Sequence, residues 1–207
     1  RVLQFNMQFG QRWDDDDPDH APVNLDLTIA EIRRHDADIV LLQEVEQSQP
    51  GVAPPDPPEN YTRLRAALSG YDGFCSSLKY DPRELPFGIG LAILSKTPLR
   101  DTVTYDLPSP PIEFEFNGET KTPTDRLLIG ATTTVAGRDL RIFNTHLLAF
   151  FMLTSSSEEH ISQREMVLGQ LCASEGATLI GGDFNVSKHE SLVRQFAGGG
   201  YRTVQNQ

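Results

Sequence analysis

The stretch that decides the fold is TLIGGDFN, residues 178–185, an apolar run that leads to Asp183. A second stretch, DIVLLQEV at residues 38–45, has the same form and leads to Glu44. A predicted helix precedes each run, and runs of this length are typical of buried strands. Two such halves facing each other would bring Glu44 and Asp183 to one sheet edge. We interpret the two stretches as a weak internal repeat.

The rest of the chain is rich in predicted strands. Strands are predicted at 2–6, 74–78, 90–95, 102–107, 127–135 and 140–147, with a hairpin at Phe114, Phe116 and the Asn117-Gly118 pair. Helices are predicted at about 24–34, 61–68 and 158–174, and Ser-x-x-Glu patterns at Ser156 and Ser187 match capping boxes at two helix starts. No change of composition marks a linker. We therefore expect one α/β domain over residues 1–207, with two packed sheets and helices on the outside.

Composition and charge limit the classes of function. The sequence has 207 residues, of which 38% are hydrophobic, and this suits a folded globular core. It has no apolar run of about eighteen residues, so we expect no membrane span. The formal net charge of −11, without a cluster of Lys and Arg, disfavours tight binding to DNA or RNA. A nuclease stays open as an alternative, because bound metal ions reverse the field locally.

The two cysteines, Cys75 and Cys172, are too few for a disulfide framework or a zinc site. Both have apolar neighbours in the sequence. We therefore predict that both are buried free thiols.

Polar residues end predicted strands at four places. These residues are Asn6, Glu44, His146, and Asp183 together with Asn185. Taken singly, each has an ordinary explanation, because acids and Asn after a strand are usually surface or turn residues and a lone His is usually a hydrogen-bonded core residue. Together they supply carboxylate, amide and imidazole groups on rigid strands, as metal-assisted cleavage of a phosphate ester requires. The combination predicts a phosphoesterase site.

Segments that contain these residues resemble the endonuclease/exonuclease/phosphatase superfamily, also called deoxyribonuclease I-like. The segments are LQFNMQFG at 3–10, DIVLLQEVE at 38–46, GIGLAILSKTPL at 88–99, FNTHL at 143–147 and LIGGDFNV at 179–186. They occur in the family's order and span nearly the whole chain. The set is specific, although each segment alone is not. The resemblance implies a four-layered α/β/β/α sandwich with the site at one end of two facing mixed sheets.

The resemblance also implies a role for each residue at the strand ends. Glu44 would be the principal ligand of Mg²⁺ or Mn²⁺, and Asn6 would contribute to or orient that metal site. Asp183 would align or deprotonate the attacking water. Asn185 would hydrogen-bond the phosphoryl oxygens, and His146 would contact the phosphate and stabilise developing charge.

Other residues have two interpretations each. Arg164 matches a basic position of the family and is a candidate for substrate binding, but an ion pair on the helix surface or behind the site is at least as good an interpretation. Glu84 could orient His146. A set of apolar residues near the site strands could form a rim for a lipid or nucleoside, although core packing is the default interpretation. These are Trp13, Phe150, Phe151 and Met152.

The family's last strand ends in an Asp-His pair, usually within Ser-Asp-His, that supplies a general base and its orienting acid. This sequence ends at Gln207, about one strand before that position, and His189 follows GDFN too closely to replace the missing histidine. We expect the domain to be C-terminally incomplete here, and not a defective relative, because every earlier segment is intact.

The leading hypothesis is a Mg²⁺- or Mn²⁺-dependent hydrolase of phosphate esters, either a phosphodiesterase or a phosphatase with a small or lipid-derived substrate. One alternative is an endonuclease or exonuclease on DNA or RNA, which the charge does not favour. An alternative of another class is a non-catalytic binding protein that keeps the fold. We expect a monomer.

Overall fold

The computed structural model describes residues 1–12, 16, 21–46, 57–76, 81, 83, 90–116 and 118–204. The predictions for Trp13, Glu84 and Asn117 lie outside these residues. Within the described part of the chain, no helix is long and apolar enough to cross a membrane.

The first sheet has four strands and contains the N-terminus. In chain order they are β1 (Val2–Asn6), β2 (Ile39–Gln43), β3 (Asp72–Cys75) and β4 (Ala92–Ser95). Their spatial order is β1-β2-β4-β3. β1 runs parallel to β2, whereas the β2–β4 and β4–β3 pairs are antiparallel. The sheet is therefore mixed, and β1 lies at its edge.

The second sheet also has four strands, and a separate hairpin precedes its longest strand. The sheet strands are β5 (Arg100–Leu107), β8 (Arg126–Val135), β9 (Arg138–His146) and β10 (Ala177–Asp183), and the hairpin strands are β6 (Phe114–Phe116) and β7 (Glu119–Lys121). The order in the sheet is β10-β9-β8-β5, with only β10 and β9 parallel. The predicted hairpin is confirmed.

Among the described residues, four α-helices cover the outer faces of the sheets. They are α1 (Leu25–His35), α2 (Glu59–Ala67), α3 (Ser162–Cys172) and α4 (His189–Gly198), and two 3-10 turns lie at Gln8–Gly10 and Phe150–Leu153. In α1 the buried residues are Leu25, Thr28, Ile29 and Ile32. This spacing of three and four residues puts them on one face, which explains why the segment folds as a helix against a sheet.

Three apolar clusters separate the layers. The first joins α1 and α2 to the outer face of the first sheet, through residues such as Ile32, Leu64 and Leu42. The second lies between the sheets, where Leu41 and Ile129 are fully buried. The third joins the second sheet to α3 and α4. Because strand residues alternate between faces, each sheet supplies two of these clusters. The predicted four-layered α/β/β/α sandwich of two mixed sheets is confirmed.

The two predicted capping boxes are wrong. α3 begins at Ser162, later than predicted, and neither α3 nor α4 has a side-chain cap. The Ser156 hydroxyl instead accepts a hydrogen bond from the Glu158 backbone over 3.2 Å. The Ser187 hydroxyl accepts one from the Ser157 backbone, also over 3.2 Å. The Ser187 hydroxyl thus ties the segment after β10 to the segment after β9, and neither hydroxyl begins a helix.

The prediction that both cysteines are buried is wrong for Cys172. Its side chain is exposed at the last residue of α3, and Cys75 is half-buried. Leu171, one residue earlier, is the position that faces the core. Apolar neighbours in sequence therefore did not indicate which side of the helix faced the sheet.

A chain of hydrogen-bonded amides connects the two sheets, and we call it the amide ladder. Gln4 Nε2 donates to Gln43 Oε1, and Gln43 Nε2 donates to Asn144 Oδ1, each over 2.6 Å. Asn144 Nδ2 donates to the backbone carbonyls of Leu42 and Ala92, over 2.8 and 3.0 Å. Gln43 and Asn144 are fully buried. Each buried amide needs these partners, because an unsatisfied one would cost about 1–3 kcal/mol.

Two glycines let β10 approach its neighbours closely. A Cβ atom on Gly181 would lie 2.6 Å from Leu41 Cδ1 in the facing sheet. One on Gly182, where φ is +153°, would lie 2.3 Å from the backbone oxygen of Thr145. Gly181 thus lets β10 lie close to the facing sheet, and Gly182 lets it lie close to β9, its neighbour in the same sheet.

We expect Gly182→Ala to lower the free energy of unfolding by about 2 kcal/mol or more, because the methyl group would overlap a backbone atom that cannot move freely. Urea denaturation followed by circular dichroism measures this change.

Gly169→Ala is the matched control, since a Cβ built there in α3 has nothing within 4 Å apart from its chain neighbours and the helix's own backbone. That variant should be as stable as wild type or more stable by up to about 1 kcal/mol. Equal midpoints for Gly182→Ala and wild type would show that the close approach of β9 and β10 is wrong.

Candidate active site

The polar residues at the strand ends meet at one edge of the sandwich. Asn6 pairs with Gln43 at the end of the parallel β1–β2 pair, and Glu44 follows directly. Asp183 pairs with His146 at the end of the parallel β9–β10 pair. Parallel strands end at the same edge of a sheet, and ligands of α/β proteins commonly bind there. The carboxyl ends of the parallel strands in the two sheets thus lie beside each other.

Asn6 joins the two carboxylates of the site. Its Nδ2 donates to Glu44 Oε1 over 2.9 Å and to Asp183 Oδ2 over 3.1 Å. Its Oδ1 accepts a hydrogen bond from the Gln8 backbone over 3.1 Å, which fixes the orientation of the amide. Two acids from different sheets are therefore held against one amide group.

Electrostatics disfavour the charged form of Glu44. Burial raises its pKa, and the nearby charge of Asp183 raises it further. The hydrogen bond from Asn6 and the charge of Arg126 act in the opposite direction but do not cancel the increase. A partly buried carboxylate beside another acid is a group that a cation would stabilise.

Two residues of the site have left-handed backbone conformations. The φ angles are +51° at Glu44 and +45° at Asn185. Such a conformation is tolerated by Asn but is unfavourable for Glu, at a cost of order 1–3 kcal/mol. The strain is offset locally, since the Glu44 carbonyl accepts a 2.7 Å hydrogen bond from the Phe9 backbone. Strain of this kind is concentrated at functional sites.

His146 is a buried imidazole beside the carboxylates. Its exposed fraction is 6%, and its Nε2 lies 3.9 Å from Glu44 Oε1. Burial lowers its pKa to about 4, the charge of Arg126 lowers it too, and Asp183 opposes the change. The ring is therefore neutral at pH 7. Its buried Nδ1 has no hydrogen-bond partner among the described residues, and Glu84, its predicted partner, lies outside them.

Asp183 and Asn185 are fixed by backbone contacts. Asp183 Oδ1 accepts a hydrogen bond from the Asn185 backbone over 3.1 Å. Asn185 Nδ2 donates to the Leu147 carbonyl over 3.0 Å, at the point where β9 ends. Both side chains therefore have defined positions next to His146.

Arg126 belongs to the site and was missed in the sequence. It begins β8, one residue before Leu127, which pairs with His146. Burial lowers the pKa of its guanidinium to about 10, while the charges of Glu44 and Asp183 act to raise it. An Arg at the start of an apolar strand could have indicated this position. The strand was predicted to begin at residue 127, one residue later, so Arg126 was left out.

Arg164 is held by contacts behind the site. Its exposed fraction is 3%, its Nη1 donates to Glu158 Oε1 over 3.1 Å, and its Nη2 donates to the Ser157 carbonyl over 3.1 Å. These contacts agree with the interpretation of Arg164 as part of an ion pair. Contact between Arg164 and substrate stays a prediction.

The apolar residues after β9 divide into two kinds. Phe150 is buried and stacks on His160, with ring centroids 4.9 Å apart. Phe151 and Met152 are exposed over 67% and 56% of their surface. Phe150 therefore packs in the core, and only its two successors could face a ligand.

The donor atoms suit a hard divalent cation. Among the described residues, no group of three or more His, Cys, Asp and Glu could hold a metal ion. Mg²⁺, however, commonly takes only one or two carboxylates and keeps several waters. Glu44 and Asp183, brought together by one amide, match that requirement.

Comparisons with solved structures agree with this architecture. The chain is similar to an endonuclease/exonuclease/phosphatase from Beutenbergia cavernae, with 22% identity and a TM-score of 0.61, covering 96% of this chain and 53% of that one. It is similar to D. rerio TDP2 complexed with a single-strand DNA product, with 16% identity and a TM-score of 0.60, covering 98% and 65%. It is similar to the mannosyl-6-phosphatase of Bacteroides thetaiotaomicron, with 15% identity and a TM-score of 0.61, covering 96% and 70%. At these identities the likeness shows the fold alone, and the chain spans about half to three-quarters of the length of its relatives.

Sequence comparison gives the family. No curated protein matches the chain significantly. A family model described as the Endonuclease/Exonuclease/phosphatase family matches residues 3–206. Since this match covers nearly the whole sequence and the strand-end residues lie where two facing sheets meet, the chain belongs to the endonuclease/exonuclease/phosphatase family.

Proposed function

We propose that the protein hydrolyses phosphate esters with the help of a divalent cation. The observation that carries the proposal is the contact of Asn6 with both Glu44 and Asp183, which brings two acids from different sheets to one edge. Without a cation, this arrangement places like charges together at a partly buried position. The electrostatic repulsion between the two carboxylates is costly, and groups perturbed in this way are typical of sites that act on a charged ligand.

Glu44 would hold the cation, Mg²⁺ or Mn²⁺, with Asp183 beside it. When bound, the ion would neutralise negative charge on the phosphoryl oxygens. Asn6 has its amide NH₂ toward the acids and its oxygen toward the Gln8 backbone, so its role is to position the two carboxylates.

The other residues supply the remaining functions. Asp183 would accept a hydrogen bond from the attacking water and align it, since Asn185 and Asn6 already fix its orientation. His146, neutral at pH 7, would donate a hydrogen bond to the phosphate. Asn185, two residues after Asp183, would bind a phosphoryl oxygen.

The substrate we propose is small or lipid-derived, cleaved as a phosphodiester or a phosphomonoester. A net charge of −11 repels polyanions, and the described positive charge at the site is the single guanidinium of Arg126. This favours one phosphate group over a nucleic-acid backbone. Cleavage of DNA or RNA is the competing outcome, and the experiment below includes it.

We expect Glu44→Gln and Asp183→Asn each to reduce kcat by about 100-fold or more, because each removes a charge that contacts the cation or the water. Hydrolysis of bis-p-nitrophenyl phosphate, p-nitrophenyl phosphate and plasmid DNA with Mg²⁺ measures the effect. Glu165→Gln is the matched control, since Glu165 is exposed on α3, and it should keep the wild-type rate.

Full activity of Glu44→Gln would refute the metal assignment. Cleavage of plasmid alone would replace the proposed substrate class with a nucleic acid. No hydrolysis of any substrate by wild type would favour a non-catalytic binding protein.

We expect Mg²⁺ or Mn²⁺ to raise the Tm of wild type by several degrees, since a ligand at about 100 times its Kd adds about 2.7 kcal/mol of stability. Glu44→Gln should lose most of this shift. In EDTA the same variant should melt at or above the wild-type Tm, because it removes a carboxylate that the folded protein disfavours. Thermal melts of wild type and Glu44→Gln, each with EDTA and with added Mg²⁺ or Mn²⁺, measure the metal-induced shift and the metal-free Tm. Identical metal-induced shifts for wild type and Glu44→Gln would contradict the proposed ligand.

A further inference from the structure

A cavity of about 130 Å³ has Arg126 in its wall, next to the site. Its other walls come mainly from strand β6, the residues just before β8, the segment after β9 and the second 3-10 turn. Apolar residues among them are Phe114, Phe116, Leu148, Ala149, Met152 and Leu153. The cavity therefore joins an apolar chamber to one charged group of the site.

The hairpin sequence explains the aromatic wall. Phe114 and Phe116 are two residues apart in a strand, so both side chains lie on one face. Glu115, between them, is exposed and accepts a 2.7 Å hydrogen bond from the Thr120 hydroxyl. Phe114 and Phe116 are only half-buried, and Met152 is 56% exposed. The chamber therefore opens to solvent and keeps apolar surface that a ligand could cover.

Arg126 connects this chamber to the acids. The residue is half-buried overall, but its Nε is shut off from solvent and has no hydrogen-bond partner in the described part of the chain. Its charge acts on both Glu44 and Asp183. A buried N–H without a partner is costly, and a guanidinium has the planar donor geometry that suits phosphate. Because Arg126 lines the chamber, its guanidinium is the group that would bind an anionic ligand there.

We propose that the cavity binds an aromatic ring on the alcohol side of the phosphate ester, while Arg126 donates a hydrogen bond to a phosphoryl oxygen. This inference rests on the proposed function and names the substrate class as aryl or arylalkyl phosphate esters. Such a substrate has an apolar ring that would fill the chamber and an anionic phosphate that would bind Arg126.

Size and wall chemistry select a ring. An engineered apolar cavity of about 150 Å³ binds benzene, so a chamber of similar volume suits one six-membered ring. Two phenyl walls offer edge-to-face contacts, and the Met152 thioether offers a sulfur–aromatic contact. A linear alkyl chain would fill a similar volume without these contacts.

The test compares the binding of benzylphosphonate, hexylphosphonate and methylphosphonate in the presence of Mg²⁺, by calorimetry or NMR titration. None of these probes can be hydrolysed, so binding is measured apart from activity. We expect benzylphosphonate to bind at least about tenfold more tightly than methylphosphonate, because it buries an additional ring. Hexylphosphonate should bind between the two.

Variants separate the chamber from the anion contact. Ala149→Leu fills the chamber and Phe116→Ala removes a wall, so each should reduce the benzyl-to-methyl ratio to about twofold or less. Phe151→Ala is the matched control, because Phe151 is exposed next to the chamber but does not line it, and it should keep the wild-type ratio. Arg126→Gln should weaken both phosphonates by about tenfold and leave their ratio unchanged. Urea midpoints identify any variant that fails to fold.

Equal binding of benzyl- and methylphosphonate by a protein that hydrolyses phosphate esters would overturn this inference and leave the proposed function standing. Hexylphosphonate that binds as tightly as benzylphosphonate would overturn the ring assignment. A protein that neither binds a phosphonate nor cleaves an ester would refute the proposed function and this inference together.

Discussion

The amide ladder is the interaction on which the rest of the structure depends. Its members precede site residues by one or two positions: Gln4 precedes Asn6, Gln43 precedes Glu44, and Asn144 precedes His146. Because the ladder crosses the space between the sheets, it fixes how far each strand end projects relative to the others. Apolar packing alone would hold the sheets together without setting this register, since hydrophobic attraction is not directional.

The site is built at a cost to the fold. Glu44 has a left-handed backbone and a carboxylate whose charge is disfavoured, His146 is held neutral, and Arg126 keeps a buried donor without a described partner. None of these features stabilises the protein by itself. They are tolerated because three apolar clusters hold the layers together. The concentration of these costly features at one sheet edge distinguishes that edge from the rest of the surface.

The sequence predicted the parts of the molecule that depend on local pattern. The length of apolar runs indicated the strands, and the internal repeat indicated that Glu44 and Asp183 would meet at one sheet edge. The resemblance to the family added Asn6 and His146 to the same site. Arg126 could not be predicted in this way, because its importance comes from burial beside groups that are distant in sequence. The exposure of Cys172 and the use of Ser187 to bind a neighbouring segment likewise depend on which face of the chain meets another element. Sequence spacing does not specify that choice.

The contact between Asn6 and Asp183 joins residues that are 177 positions apart. A chain that emerges from the ribosome therefore has no assembled site until its last described strand is made, even if its first sheet has already formed. Contacts of such long range are slow to form, because the entropy of closing the loop must be overcome first. Partly synthesised chains would consequently lack the site, and its assembly would be one of the last events of folding.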